Sequence, residues 1–325
     1  MSWKHIVPKT KKVIVDDIDG EVGIIKGHYG IAVDVRLKDG SVKTVRVKRK
    51  SGHVVGDLVT ITPTGLNPFP RMTEVKRIDM RGNERIIAAN LDVIGIVIAP
   101  QPPTPPGFLD RAFVAAMASG IKPFIVVNKS DEKGAAELYE RIKALYGNYF
   151  PIFYVSAEEE TNLGELKQFF TDGDYRGAFI GTSGVGKSSL LNRFCPEIEL
   201  ETCEINETGG FGRHATTAST LHILPTGGEL IDTPGFRDFR VVNISSEDLA
   251  WYFPDFQLIF DEGGCRFGDC KHMTEPGCVI LEAVKNGILP EERHHIYKTI
   301  HNEIKTVEDG RVKDARKKRR KGGAR

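Results

Sequence analysis

Residues 181–189 read GTSGVGKSS, and this stretch decides the fold. It follows the apolar run GAFI at 177–180 and precedes the helical pattern SSLLNRF at 188–194, which is the context of a phosphate-binding loop. Its glycines let backbone N–H groups surround phosphates, and the following helix N-terminus adds partial positive charge. We expect Lys187 to reach the β- and γ-phosphates and the Ser188 hydroxyl to ligate Mg²⁺. The whole loop is expected to contact the nucleotide: Gly181, Thr182, Ser183, Gly184, Val185, Gly186, Lys187, Ser188 and Ser189.

The guanine-reading motif NKSD lies before this loop, at 128–131, whereas in a Ras-like GTPase it follows near the end of the domain. Asp131 can accept hydrogen bonds from guanine N1 and N2, a pattern that adenine does not offer. Lys129 is expected to lie along the base, and Asn128 to tie neighbouring loops together. Ser156-Ala157 resembles the second guanine loop, whose backbone N–H reads the base oxygen. The inverted order predicts a circularly permuted GTPase.

A third nucleotide segment, DTPG at 232–235, follows the apolar pair Leu230-Ile231. Asp232 suits the Mg²⁺ shell through water, and the Gly235 N–H suits the γ-phosphate. The Gly- and Thr-rich stretch 209–220 between the two loops is typical of a mobile switch. Thr216 is the predicted Mg²⁺ ligand, with Thr217 as the alternative.

Lys187 and Gly235 are predicted catalytic residues, and the residue that orients the attacking water is less evident. Ras-like enzymes place a water-orienting Gln directly after the glycine of this motif, and here that position is Phe236. Slow intrinsic hydrolysis is therefore expected. His214, in the switch stretch, is a candidate catalytic residue, and a histidine that contacts a partner is the alternative.

Three cysteines and one histidine lie within fourteen residues, at Cys265, Cys270, His272 and Cys278. Three thiolates and one imidazole match a closed structural Zn²⁺ site. Buried free thiols are the alternative. Cys195 and Cys203 lack partners at ligand spacing, which indicates ordinary thiols.

The patterning predicts a multidomain chain. Short alternating strands over 13–62 favour a barrel of the OB type, with an SH3-like barrel as the alternative. Strand–helix alternation over 85–240 predicts a parallel sheet covered by helices, and the region after 240 is mainly helical. The predicted domains are an OB-type barrel at 1–72, a permuted GTPase domain at 73–240 and a zinc-binding domain with a basic tail at 241–325.

Composition and charge narrow the functional class. Of the 325 residues, 40% are hydrophobic, no run is long enough to span a bilayer, and the N-terminus lacks the apolar core of a secretory signal. Five cysteines and no signal favour the cytoplasm, and the shortness of the apolar runs disfavours a membrane partner. Residues 1–80 carry 15 Lys/Arg against 9 Asp/Glu, and residues 311–325 carry 9 against 1. Two basic ends suggest a nucleic-acid partner, although a basic tail can also serve solubility alone.

These motifs together resemble the ribosome small-subunit-dependent GTPase A family (RsgA, or YjeQ). The resemblance spans essentially the whole chain. It rests on AANLD at 88–92, ASGIKPFIVVNKSD at 118–131, GTSGVGKSSLLN at 181–192, GRHATT at 212–217, DTPGFR at 232–237 and the cluster at 265–278. Ala215 stands where the family more often has Thr.

The resemblance implies a monomeric factor that binds the 30S ribosomal subunit and its 16S rRNA late in maturation. GTP hydrolysis to GDP and phosphate, stimulated by that subunit, would then drive release. An alternative is a GTP-sensing rRNA-binding module in which hydrolysis is incidental. A P-loop kinase or ATPase is disfavoured by the NKSD motif.

Overall fold

The computed structural model of the chain describes residues 20–78, 84–196, 219–232 and 244–322. Its residues group into two compact units. The larger unit contains the N-terminal strands and the sheet that carries the nucleotide motifs. The smaller unit combines Gly107–Ala118 with Val241–Arg325, so one helix from the middle of the sequence groups with the C-terminal region. The division into three domains at 72 and 240 stays a prediction.

Seven α-helices are described. In chain order they are α1 (Phe108–Ala118), α2 (Ala135–Tyr146), α3 (Leu163–Gly173), α4 (Lys187–Phe194), α5 (Pro254–Glu262), α6 (Val279–Lys285) and α7 (Glu291–Gly322). A short 3₁₀ helix spans Leu249–Tyr252. In the part of the chain that the structure describes, no helix combines the length and the apolar character that a membrane crossing requires.

Five short antiparallel strands open the larger unit. They are β1 (Glu21–His28), β2 (Ala32–Leu37), β3 (Val42–Arg46), β4 (Leu58–Thr62) and β5 (Gly65–Pro68). Their order is β5-β4-β1-β2-β3, and β3 also contacts β5. On β2, Val33 and Val35 are buried while Asp34 and Arg36 are not, which is the alternation of a strand with one face in a core. The order is compatible with the expected OB-type barrel.

The second part of the larger unit is the predicted parallel sheet. Its strands and the hairpin that precedes it are β6 (Glu74–Ile78), β7 (Glu84–Ala89), β8 (Val93–Ile98), β9 (Lys122–Val127), β10 (Ile152–Tyr154), β11 (Arg176–Ile180), β12 (Ser219–Ile223) and β13 (Glu229–Asp232). The parallel strands run in the order β10-β9-β8-β11-β13, and β12 pairs antiparallel with β13. All six residues of β8 are buried, as expected for a strand in the middle of such a sheet.

The core of this sheet is aromatic. Phe124 and Phe179 approach with ring centroids 6.4 Å apart, and Phe170 and Phe194 pack against Phe179. Gly95 on β8 leaves room for these rings. A Cβ built there would lie 2.6 Å from Cζ of Phe124 and 2.7 Å from Cδ1 of Phe179, so even alanine would displace the cluster.

The N-terminal strands and the parallel sheet belong to one hydrogen-bonded sheet. Gly27 and His28, at the end of β1, pair with Thr220 and Ser219 of β12. The first strand of the barrel region therefore continues onto the strand that follows the predicted switch stretch.

An ion-pair network joins the same two parts of the larger unit. Glu229 on β13 accepts from Arg36 on β2 and from Arg176 Nε on β11, the latter at 2.6 Å. The backbone N–H of Arg176 donates to Asp92 Oδ2 at 2.8 Å. All three side chains of the Glu229 cluster are more than four-fifths buried, so these charges compensate one another away from water.

The smaller unit is helical around its own aromatic core. Phe253 and Phe256 pack on Tyr297 of α7, with centroids 5.3 and 4.8 Å from the tyrosine ring. Beside them Arg293 is buried between two carboxylates: its Nε donates to Asp255 at 2.6 Å, and it also binds Asp110 of α1. This buried pairing explains why α1 groups with the C-terminal helices.

Candidate nucleotide site and metal centre

The described nucleotide segments lie at one edge of the parallel sheet. Residues 128–131 follow β9, residues 156–157 follow β10, residues 181–189 follow β11, and Asp232 ends β13. The carboxyl ends of neighbouring parallel strands meet at the same edge, which is where such sheets bind ligands. The segments therefore come together although their order along the chain is inverted.

The phosphate loop is built by its backbone. Lys187 Nζ donates to the carbonyl oxygens of Gly181 and Thr182, at 2.9 and 2.7 Å, so the ammonium group lies across the loop. Ser188, in the first turn of α4, is exposed. Gly186 has φ +90°, and a Cβ there would lie 2.2 Å from Nδ2 of Asn128. Glycine is required at this position for both its backbone angle and its lack of a side chain.

Asn128 connects two of the loops. Its Nδ2 donates to the Val185 carbonyl at 2.8 Å, and its Oδ1 accepts from the Ala157 N–H at 3.1 Å. The side chain is 1% exposed. The amino group and the carbonyl oxygen of this side chain are thus each satisfied, by two different loops that both follow Asn128 in the sequence.

The second guanine loop differs from expectation in one respect. The Ser156 N–H donates to the Thr161 carbonyl at 3.1 Å, and the Ala157 N–H is taken by Asn128. Both N–H groups therefore have protein partners. That this dipeptide reads the base oxygen stays a prediction, and it requires one N–H to share or exchange its acceptor.

The remaining guanine-motif residues face outward. Lys129 has φ +62°, and its Nζ lies 3.0 Å from both the Gln101 carbonyl and Glu132 Oε1. Asp131 is exposed and makes no hydrogen bond or ion pair with the residues that the structure describes. Its carboxylate is therefore available to a ligand.

Arg193 is a supporting residue that sequence reasoning missed. From the last turn of α4 its Nε donates to the Ala157 carbonyl at 2.9 Å, and its Nη1 donates to Glu160 Oε1 at 2.7 Å. It thereby fixes the second guanine loop to the helix of the phosphate loop. No motif marks it, because only the packing of α4 brings residues 157 and 193 together.

Several predicted residues lie outside the described parts of the chain. These are His214, Thr216, Thr217, Gly235 and Phe236. Their roles stay predictions.

The four predicted metal ligands come together in the smaller unit. The ligand atoms of Cys265, Cys270, His272 and Cys278 all lie within 4.8 Å of one another. His272 Nδ1 is 3.5 Å from Cys265 Sγ and 3.4 Å from Cys278 Sγ, and these two sulfurs are 3.9 Å apart. Tetrahedral bonds of about 2.3 Å to sulfur and about 2.0 Å to nitrogen require S–S and S–N separations of roughly 3.8 and 3.5 Å. The four donor atoms could therefore hold one tetrahedral ion such as Zn²⁺.

The surroundings suit metal ligation. Burial lowers the pKa of His272 to about 4, which keeps the imidazole neutral, the form that ligates metals. Burial also raises the pKa of the Cys270 thiol to about 12, so a nearby cation is needed to hold thiolates there. Glu275 accepts the N–H groups of Lys271 and Met273, at 3.1 and 2.8 Å, which fixes the loop between the ligands. Cys195 is buried in the other unit and belongs to no such cluster among the described residues.

Comparison with known proteins gives consistent results. A family model described as RsgA GTPase matches residues 68–242. A Pseudomonas fluorescens (strain SBW25) protein named small ribosomal subunit biogenesis GTPase RsgA is 36% identical over 294 residues, which covers 86% of this chain and 84% of that protein. The equally named protein of Pseudomonas syringae pv. tomato (strain DC3000) is 34% identical over 312 residues and 90% of each chain.

Two solved structures are similar over most of their length. The crystal structure of YjeQ from Thermotoga maritima has a TM-score of 0.70 at 27% identity, covering 87% of this chain and 98% of that one. YloQ, described as a circularly permuted GTPase, has a TM-score of 0.66 at 26% identity, covering 91% and 98%.

Proposed function

Because this chain belongs to the RsgA GTPase family, we propose that it binds the small (30S) ribosomal subunit and acts late in the maturation of that subunit. It hydrolyses GTP to GDP and phosphate, and contact with the subunit stimulates this turnover. Hydrolysis then drives release from the subunit. We propose that it acts in the cytoplasm, together with its ribosomal partner, as a monomer.

The bridge made by Asn128 carries the GTP assignment. It joins the NKSD segment to the phosphate loop. The residue that reads guanine and the groups that bind phosphate can therefore contact the same nucleotide. Asp131 discriminates guanine from adenine, because a site built to pair with the guanine N–H groups leaves an acceptor unpaired when adenine enters. Lys187 neutralises charge on the β- and γ-phosphates.

The hydroxyl groups of Ser188 and Thr216 would hold Mg²⁺, with Asp232 acting through water. The exposed Ser188 hydroxyl beside Lys187 fits this role. The ion would neutralise charge on the phosphates when bound. In the reaction water attacks the γ-phosphorus and GDP leaves. The Gly235 N–H is proposed to stabilise the γ-phosphate, and His214, or a group of the subunit, to orient the water that Phe236 cannot orient.

The barrel region supports an rRNA contact. Tyr29 and Ile31 are 51% and 60% exposed between β1 and β2. The backbone of Ile31 bonds Val47, next to the exposed basic residues Arg46 and Lys48. Exposed aromatic and basic side chains together suit stacking on bases and neutralising phosphates. We propose that this surface and the basic residues 311–325 contact 16S rRNA.

The cysteine–histidine cluster is proposed to hold one structural Zn²⁺. Its four ligands leave no open position for substrate, so the ion would stabilise the smaller unit and take no part in hydrolysis. Metal analysis of the purified protein should give one zinc per chain. A Cys270→Ser variant should lose it while still binding GTP.

GTP hydrolysis measured with and without 30S subunits tests the proposal. We expect slow turnover alone and a large stimulation by 30S but not by 50S subunits. A second candidate, a GTP-sensing rRNA-binding module, is favoured by Phe236 at the position of the water-orienting glutamine. GTP-dependent 30S binding without stimulated hydrolysis would support that candidate and contradict the enzyme proposal.

A further inference from the structure

Trp251 lies on the surface of the smaller unit with no role in the nucleotide or metal site. Its side chain is 62% exposed, although tryptophan is usually among the most buried residues. Its ring packs against Phe260 of α5, with centroids 5.7 Å apart and planes at 58°. One side of the indole is thus held in place while the rest faces solvent.

Four exposed carboxylates lie close to this indole along the chain, of which Glu247 also pairs with Lys271 at 3.1 Å and Asp248 accepts from the Ser245 hydroxyl at 2.6 Å. Glu247 and Asp248 precede Trp251 by about one helical turn, and Asp261 and Glu262 directly follow Phe260. Gln257 of α5 reaches the Ala250 carbonyl at 3.4 Å, and Asp261 follows Gln257 by one turn on the same face of the helix. We call Trp251, Phe260 and these four carboxylates the Trp251 surface.

Helix stability does not explain the acidic side of this surface. Asp261 and Glu262 are the last two residues of α5, where the helix dipole disfavours negative charge. The wider region is also acidic, since residues 244–309 carry 13 Asp/Glu against 6 Lys/Arg. The net charge of residues 244–309 is therefore negative, whereas that of residues 311–325 is positive.

We propose that the Trp251 surface binds a basic segment of another protein, with an Arg or Lys side chain over the indole. A cation over a tryptophan face is the strongest of the cation–π pairs that side chains make. The carboxylates attract such a segment and repel phosphates, so the occupant is protein and not RNA. The smaller unit would thus contact a basic protein of its assembly while the barrel region contacts RNA.

Residues 311–325 of this chain have the same chemistry, but a separate molecule fits better. Residues 311–322 continue α7, a single helix of 32 residues from Glu291. They could reach back to another surface of the unit only if that helix broke.

Binding of a labelled peptide of alternating Gly and Arg to the full-length, zinc-loaded protein tests the inference by fluorescence anisotropy. We expect saturable binding, weakened roughly fivefold by Trp251→Ala. The double variant Asp261→Asn, Glu262→Gln should weaken it roughly threefold to tenfold. A matched double variant, Glu282→Gln with Glu291→Gln, removes the same charge from α6 and α7 and should leave binding unchanged.

Tryptophan emission locates the bound peptide. The chain has two tryptophans, Trp3 and Trp251, so a Trp3→Phe protein reports on Trp251 alone. Its emission should change as the peptide saturates and stay constant with a Gly–Glu peptide.

Three results would overturn the inference. The two double variants could weaken binding equally, which would mean that the peptide responds to the overall negative charge of the protein and not to the Trp251 surface. Single-stranded RNA could compete with the peptide and lose affinity in Trp251→Ala, which would make the surface an RNA site. The peptide could bind only after residues 311–325 are removed, which would identify the chain's own tail as the occupant.

Discussion

Asn128 Nδ2 donates to the carbonyl oxygen of Val185 at 2.8 Å, across 57 positions of sequence. The bond joins two motifs whose order along the chain is inverted, and it is buried. This side chain aligns the base-reading loop with the phosphate loop, which lie far apart in the sequence.

Replacement of Asn128 by alanine should weaken GTP binding at least tenfold. The change leaves the Val185 carbonyl and the Ala157 N–H without partners, at a cost of about 1–3 kcal/mol for each buried group. Titration with a fluorescent GTP analogue measures the loss. Asn162→Ala is the matched control, because it removes an exposed amide bond to the Tyr154 carbonyl. Equal affinity of the Asn128 variant and wild type would contradict the bridging role.

Asp131→Ala should weaken GTP binding by about a hundredfold or more and leave the weak binding of ATP unchanged. A carboxylate that pairs with the guanine N–H groups discriminates strongly between GTP and ATP, so its removal should abolish most of the difference in affinity. Competition between GTP and ATP for the same fluorescent analogue measures the ratio. Glu137→Ala, an exposed carboxylate on α2, should leave the ratio intact. A ratio that persisted in Asp131→Ala would assign base selection to another group.

Gly186→Ala should abolish nucleotide binding and lower the melting temperature. The new Cβ would meet Asn128 at 2.2 Å, in a backbone conformation that alanine rarely adopts. Gly164→Ala is the control, because Gly164 lies within α3 with nothing near its Cβ position. Because Gly164 lies in the first turn of the helix, that control should bind GTP normally and change stability by less than about 1 kcal/mol. Normal GTP binding by Gly186→Ala would mean that the loop adopts another conformation in solution.

Arg293→Ala should lower the free energy of unfolding of the smaller unit by about 3–5 kcal/mol, since it removes the cation between the buried carboxylates of Asp110 and Asp255. Arg111→Ala breaks the exposed pair with Glu303 and should cost about 1 kcal/mol or less. Urea unfolding followed by circular dichroism measures both. Adding Asp110→Asn and Asp255→Asn to Arg293→Ala should restore part of the loss. No recovery would show that lost packing, and not buried charge, causes the defect.

Stability should fall as the pH is lowered from about 6.5 towards 4, and His222 should contribute to this dependence. Burial, and then the charge of Lys26, lowers the pKa of His222 from 6.5 to about 4. The unfolded chain therefore binds the proton first, so the free energy of unfolding decreases with falling pH in this window. His222→Gln should reduce the difference between urea unfolding at pH 7 and at pH 5. The exposed His295→Gln is the comparison, and an unchanged difference in the His222 variant would contradict the assignment.

Local motifs predicted the nucleotide edge because each motif follows a strand, and parallel strands bring their carboxyl ends together. The family and the permuted GTPase fold, predicted from those motifs, are confirmed. The three cysteines and one histidine that could hold a metal ion were found from spacing, since they lie within fourteen residues. Contacts between distant positions carried no such signal. The bond of Arg193 to Ala157 and the pairing of Arg293 with Asp110, 183 positions apart, arise only when helices pack.

The pairing of Gly27 and His28 with β12 affects how deletions of the barrel are interpreted. Removing residues 1–72 would leave the backbone of Ser219 and Thr220 unpaired at an exposed strand edge and would take Arg36 from buried Glu229. Such an edge favours aggregation, and Glu229, left with Arg176 as its remaining partner, would lose part of its charge compensation on β13, which ends at Asp232. A truncated protein would then bind GTP poorly through misfolding. Point substitutions at Tyr29 or Ile31 would separate an RNA-binding defect from that loss of structure.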